Sequence, residues 1–220
     1  MRKLIVTTMV TLDGVMQAPG GPEEDPTGGF AHGGWATPHF DDVLGEVLSE
    51  AMSKPFDLVL GRKTYEIFAA HWPYDEGPIA DRLNGAKKHV ASTTLDRLEW
   101  RNSFLIEGDV RSGVARLKEQ DGPELQVHGS AGLLQTLLGS DLVDELRLTI
   151  FPIAVGRGKR LFGDGTMPAA FELVDSKTST TGVLIGTYRR AGEPQTGSFA
   201  FEEPTEAEVE RREAMRASGE

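Results

Sequence analysis

The stretch Asp57-Leu-Val-Leu-Gly-Arg-Lys-Thr-Tyr-Glu-Ile-Phe68 runs from an apolar strand pattern, through a glycine, two cations and a hydroxyl, into a helical pattern. Two readings of Gly61-Arg62-Lys63-Thr64 follow. It is a plain strand-to-helix turn with surface charge, or it is a seat for an anion such as phosphate. A helix N-terminus presents free N–H groups and a partial positive charge, which suits the second reading. Neither G-x-x-x-x-G-K-[ST] nor G-x-G-x-x-G occurs in the chain, so the standard nucleotide fingerprints are missing.

The same strand–turn–helix grammar recurs on both sides of this stretch. Lys3–Leu12 is β-rich. Phe40, Val43, Leu44, Val47, Leu48, Ala51 and Met52 fall on one helical face, for which Thr37 is placed as cap and Pro38 as first residue. Short strands are expected at 87–93, 103–108 and 124–129. Helices follow from Val110 and from Ser130, the second carrying Leu133, Leu134, Leu137 and Leu138. The segments 146–155 and 170–190 finish the pattern, the latter as two strands joined by a polar turn. Alternating strands and helices imply an α/β three-layer sandwich with a mainly parallel sheet of about eight strands. In such sheets ligands sit outside the carboxyl ends of the strands. Gly14 to Pro38 is different, with seven glycines and four prolines and little periodicity, as in a binding loop or lid.

Composition narrows the function classes. The 220 residues include no cysteine, which removes disulfides, thiolate nucleophiles and cysteine zinc sites. A net charge of −11 argues against a nucleic-acid surface, and no run is long and apolar enough for a membrane span. The apolar start Met1–Gly14 lacks a small-residue cleavage site and reads as the first strand of a cytoplasmic protein. The histidines show no metal-ligand spacing. Residues 1–190 form one expected domain. Residues 191–220 hold eight acids and three bases, net −5, and read as an acidic tail with a short helix opened by the Thr205-x-x-Glu208 capping box.

A second junction resembles the first. Val127-His-Gly-Ser-Ala-Gly-Leu-Leu134 passes from a strand through Gly129, Ser130, Ala131 and Gly132 into a helix, with side chains small enough for a pyrophosphate to lie on the amides. Ser92 and Thr93 supply hydroxyls at a third strand end. Three such exits suit an extended dinucleotide better than a single phosphate.

With these pieces in view, the chain resembles the dihydrofolate reductase-like superfamily, in the branch related to the reductase domain of bacterial riboflavin biosynthesis. The matching segments are MVTLDG, LVLGRKTYE, HVAST, QVHGSAGLLQTLL and LVDELRLTIFPIAVGRGKRLF, spread over roughly residues 2 to 190. The resemblance implies NADPH bound in extended form. Gly61, Arg62, Lys63 and Thr64, with Ser92 and Thr93, would meet the 2′-phosphate side. Gly129, Ser130, Ala131 and Gly132 would meet the pyrophosphate. It also implies a homodimer and a small heterocyclic substrate, pterin-like or a flavin precursor, or a carbonyl compound. True dihydrofolate reductases carry Trp-x-x-Pro-x-acid, whereas this chain has Phe40 in the acid's place, after Trp35, Pro38 and His39. Folate is therefore not the expected substrate. The zinc deaminase half of the two-domain riboflavin enzyme has no counterpart here.

The resemblance implies that the end of the first strand, Thr11-Leu-Asp-Gly14, lies close to the nicotinamide, which makes Asp13 the leading candidate for substrate contact or proton delivery; a turn-forming Asp-Gly pair is its other reading. Trp35, His39 and Phe40 are candidate substrate-binding residues, with a core role for Phe40 equally compatible with its spacing. Arg157, Lys159 and Arg160 follow a strand; the resemblance implies that this run shapes the sheet's edge and a turn, with ligand contact as its other reading. The missing pterin acid leaves a second function open, a non-catalytic NADP(H)-binding or sensory module.

Overall fold

In the computed structural model, which describes residues 1–164 and 166–218, eight strands form one sheet. They are β1 (Leu4–Thr11), β2 (Phe56–Gly61), β3 (Lys88–Ala91), β4 (Ser103–Leu105), β5 (Glu124–His128), β6 (Glu145–Phe151), β7 (Phe171–Thr178) and β8 (Leu184–Arg190). Their spatial order is β4-β3-β2-β5-β1-β6-β8-β7. Pairings from β4 to β6 are parallel, while β8 runs antiparallel to both β6 and β7. The expected α/β sandwich with a mainly parallel sheet and an antiparallel C-terminal strand is the observed architecture.

Successive strand residues face opposite sides of the sheet, and in β2 both sides are covered. Leu58 and Leu60 pack with Tyr65, Leu83, Val90 and Trp100 on one face. Val59 packs on the other with Val6, Val127, Leu134 and Leu137. The helices that cover the faces are α1 (Asp42–Ala51), α2 (Arg62–His71), α3 (Pro78–Gly85), α4 (Val110–Glu119) and α5 (Ala131–Leu138). A continuous apolar strand therefore belongs in the middle of the sheet, where it is buried from above and below. At the far edge, β7 pairs with β8 alone and leaves Leu173 53% and Val174 44% exposed.

The start of α1 departs from expectation. Thr37–His39 form a separate 3-10 turn, and Asp41, not Thr37, caps the helix, its Oδ1 accepting from Leu44 N–H at 3.0 Å. Phe40 is extended at φ −69°, ψ 130°, so it lies outside the helix. The physical reason is a competing partner. The other oxygen of Asp41 accepts from both the N–H and the hydroxyl of Thr180, at 2.8 and 2.7 Å, which fixes the helix entry against the β7–β8 turn.

Beyond β8, residues 193–205 carry no helix or strand, and α6 (Glu206–Ser218) has no buried residue. Half of its capping box is made. Glu208 N–H donates to Thr205 Oγ1 at 3.3 Å, while the Glu208 carboxylate turns to Arg211 and Arg212. Among the described residues no helix is long and apolar enough to cross a membrane.

Candidate functional site

Parallel strands place their C-terminal ends, and the turns that follow, along one rim. In register, Gly61 stands beside Ala91 and Thr7 beside His128, which brings three of the expected seats to that rim. A cleft of ≈ 1090 Å³ opens there. Gly61, Arg62, Lys63 and Thr64 line it, as do Gly129, Ser130, Ala131 and Gly132.

These two turns are bolted together. Gly61 N–H donates to Ser130 Oγ at 3.0 Å, Ser130 N–H donates to Thr64 Oγ1 at 3.0 Å, and Ser130 Oγ donates to His128 O at 3.2 Å. Gly129 and Ser130 are both left-handed, at φ 56° and 63°. Glycine accepts that conformation freely, whereas serine does so at a cost of about 1–2 kcal/mol. The three hydrogen bonds at Ser130 offset that cost. The first intrahelical bond of α5 is Leu134 N–H to Ser130 O, so the amides of Ala131, Gly132 and Leu133 have no partner within the helix. Asp41 and Asp109 cap α1 and α4 with their own carboxylates, whereas α2 and α5, whose first turns face the cleft, have no side-chain cap; α3, which opens on Gly77 and Pro78, has none either.

Space matches the open amides. A Cβ built on Gly132 would meet nothing within 4 Å, and one on Gly129 would touch only the Thr64 side chain at 3.7 Å. Arg62, exposed on the first turn of α2, pairs with Glu66 at 3.0 Å. Ser92 and Thr93 stand apart from this group. Ser92 Oγ closes its own turn by accepting from Thr94 and Leu95 N–H at 3.2 and 3.0 Å, and neither residue lines the cleft, although Ala91 does.

The opposite wall comes from the unpatterned loop after β1. Gln17 organises it. Its Nε2 donates to Asp25 O and Thr27 O, each at 2.9 Å; its Oε1 accepts from Lys159 N–H at 3.1 Å; its carbonyl accepts from the Trp35 indole at 2.7 Å. The Lys159 ammonium closes on Asp25. Burial pushes the Asp25 carboxyl up, and the bonds from Lys159 and Thr27 outweigh it, leaving a carboxylate below its ordinary value. Leu48, Met52, Ile67 and Phe68 give the cleft an apolar flank, and of the helical stripe read over 40–52 only Leu44 and Met52 are buried.

Asp13 is placed in a turn. Its Oδ1 accepts from Thr11 Oγ1 at 2.6 Å and Val155 N–H at 3.2 Å, its Oδ2 from Gly156 N–H at 2.8 Å, and Arg160 stands 3.6 Å away. The Thr11 hydroxyl and these amides hold the carboxyl below 3.8, so it carries no proton to give near neutrality, and it does not line the cleft. Trp35 is buried with its edge against Phe151 at 5.2 Å, and His39 meets Phe151 at 5.9 Å. Neither lines the cleft. Phe40 does, and is 44% exposed. His128 also borders it, but burial, with the Arg147 charge, pulls its pKa down to about 4, so it is neutral at physiological pH. The residues that sequence reasoning passed over are Gln17, Glu24 and Asp25, in a stretch with no period to mark them. Of the three cations Arg157, Lys159 and Arg160, for which ligand contact is one of two sequence readings, Lys159 and Arg160 line the cleft.

The uncharacterized protein YyaP of Bacillus subtilis (strain 168) is 28% identical over 201 residues, covering 87% of this chain and 96% of its own length. YwjB of the same organism, also uncharacterized, is 26% identical over 123 residues, covering 54% and 66%. Among solved structures, a candidate riboflavin biosynthesis protein from Shewanella sp. PV-4 superposes with a TM-score of 0.62 at 23% identity, over 86% of this chain and 99% of that one. A pyrimidine reductase-like protein from Corynebacterium diphtheriae gives 0.56 at 13% identity, over 87% and 93%. At those identities the structures share the fold. The RibD C-terminal domain profile matches residues 2–185, and the chain belongs to that family.

Proposed function

We propose that this protein is an NADPH-dependent reductase that delivers hydride to a small flat heterocycle, pterin-like or a flavin precursor, or to a carbonyl compound. The observation that carries the reading is the pair of uncapped helix starts, α2 and α5, tied to each other and opening on one cleft. The amides of Ala131, Gly132 and Leu133 suit a pyrophosphate, with Gly132 leaving the room that it needs. Arg62 and Lys63 suit the adenosine 2′-phosphate, for which Arg62 has to leave Glu66. Bound reduced nicotinamide would supply the hydride; the chain supplies position, an apolar flank for a flat acceptor, and a proton. A second reading, an NADP(H)-binding sensory module, is favoured by the exposed Phe40 in place of a pterin-gripping acid.

Calorimetry with NADPH and NADH tests the reading on the parent, Arg62→Ala and Gly132→Leu proteins. NADPH should bind the parent. Arg62→Ala should weaken NADPH at least ten-fold more than NADH, and Gly132→Leu should weaken both. Equal losses for both cofactors in Arg62→Ala would refute the 2′-phosphate seat, and no heat with the parent at millimolar NADPH would refute the cofactor altogether. NADPH binding with no oxidation by a panel of pterins, flavin precursors and quinones would leave the sensory module.

The expected homodimer is part of the same reading, with the unpaired β7 edge and its exposed Leu173 and Val174 as the surface a second copy would cover. Light scattering should give twice the chain mass, and Val174→Lys should halve it; a parent monomer at micromolar concentration ends the idea.

A further inference from the structure

Any reduction of a C=N or C=O bond needs a proton as well as a hydride, and the cleft offers few groups able to hold one. Asp25 is fixed as a carboxylate by Lys159, His128 is neutral with its Nε2 on Gln126 Oε1 at 2.8 Å, and Asp13 lies outside the cleft. Among the described residues, three acids line the cleft: Asp25, the exposed Asp164, and Glu24. Glu24 differs from both.

It sits on the tight turn 21–24, where its own N–H donates to Gly21 O at 3.2 Å, and one carboxyl oxygen accepts from Gly20 N–H at 2.6 Å. Among the described residues no cation stands within ion-pair distance of it. The nearby charges are accounted for. Lys159, reaching in from the segment after β6, is spent on Asp25, and Arg160 on Asp13 and the carbonyls of Asp13 and Gly156. What remains facing Glu24 is the like charge of Asp25.

We propose that Glu24 is the proton donor of the reductase, a carboxylic acid held at the cleft wall by backbone amides and left without a cation. This rests on the reductase reading above. As hydride from the nicotinamide forms the new C–H bond, the π pair of the acceptor moves onto its nitrogen or oxygen. Glu24 gives its proton to that atom, becomes a carboxylate and regains a proton from water. Its surroundings raise its hold on a proton. Burial lifts the carboxyl above its ordinary value against the pull of the Gly20 and Gly21 amides, and Asp25 adds to the lift. Binding a cofactor across the cleft removes more water and pushes in the same direction.

The test begins with 13C-carboxylate NMR of glutamate-labelled protein, using Glu24→Gln to identify the resonance, with and without NADPH. The midpoint is expected above 4.5 in the free protein and higher again in the NADPH complex. A midpoint at or below 4.5 with NADPH bound overturns the proposal and leaves the reductase reading standing. Absence of NADPH binding overturns both. With 9,10-phenanthrenequinone as probe acceptor, Glu24→Gln should lower kcat on the order of 10²-fold while leaving the NADPH Kd unchanged. The parent kcat should fall as pH rises through the Glu24 midpoint, and the variant should be flat there. A variant kcat within two-fold of the parent at every pH also overturns the assignment.

Discussion

The two walls of the cleft are made in opposite ways. One is backbone at strand ends: glycines, a serine and a threonine that hold two helix starts together and leave amides open. The other is a web of side chains, in which Gln17 alone gathers Asp25, Thr27, Lys159 and Trp35. A backbone seat can read charge and shape common to many nucleotides, whereas a side-chain web can be altered one residue at a time. On the proposed reading, the backbone wall would hold the cofactor and the side-chain wall would select the acceptor.

That contrast can be broken from either side. The largest effect is expected from Gln17→Ala, which strands two carbonyls and an amide and should cost about 2–3 kcal/mol. Urea midpoints measure the loss, and hydrogen exchange should localise it to residues 17–36, with NADPH affinity unchanged. Loss of protection in α5 instead would show that the walls are not independent. Thr64→Val is the converse. It removes the acceptor of Ser130 N–H, should cost about 1–2 kcal/mol, and should weaken NADPH several-fold. The smallest effect is at the loop's entry. Asp13 has a folded pKa below 3.8, so its stabilisation is complete above that value and lost as pH falls through the lower one. Asp13→Asn should lack this contribution, giving a shallower dependence of stability on pH below about 4; an unchanged slope would remove Asp13 as the pin.

The legibility of each wall in the sequence follows from its construction. Strand and helix periods come from burial on fixed faces, so Leu58, Val59 and Leu60 announce a central strand and Leu133 to Leu138 a packed helix. The turns between them are short, so Gly61 and Gly129 could be located to the residue. The entry to α1 was misread because Thr37 and Asp41 are both sound caps locally, and the choice is made by Thr180, far away in sequence. Asp13 and Trp35 belong to the same class, committed to distant partners in the 151–156 segment. Glu24 had no local signal at all. Only the folded loop gives it a cleft to face and takes its neighbouring cations away.

The loop is clamped at each end, Asp13 to the amides of Val155 and Gly156, Asp41 to Thr180. Both anchors lie on the same half of the sheet, away from the β2–α2 and β5–α5 turns. Residues 14–40 thus form a cassette with standard fittings. Recombining that cassette among relatives that keep the two aspartates is a route to new acceptor preferences on an unchanged chassis.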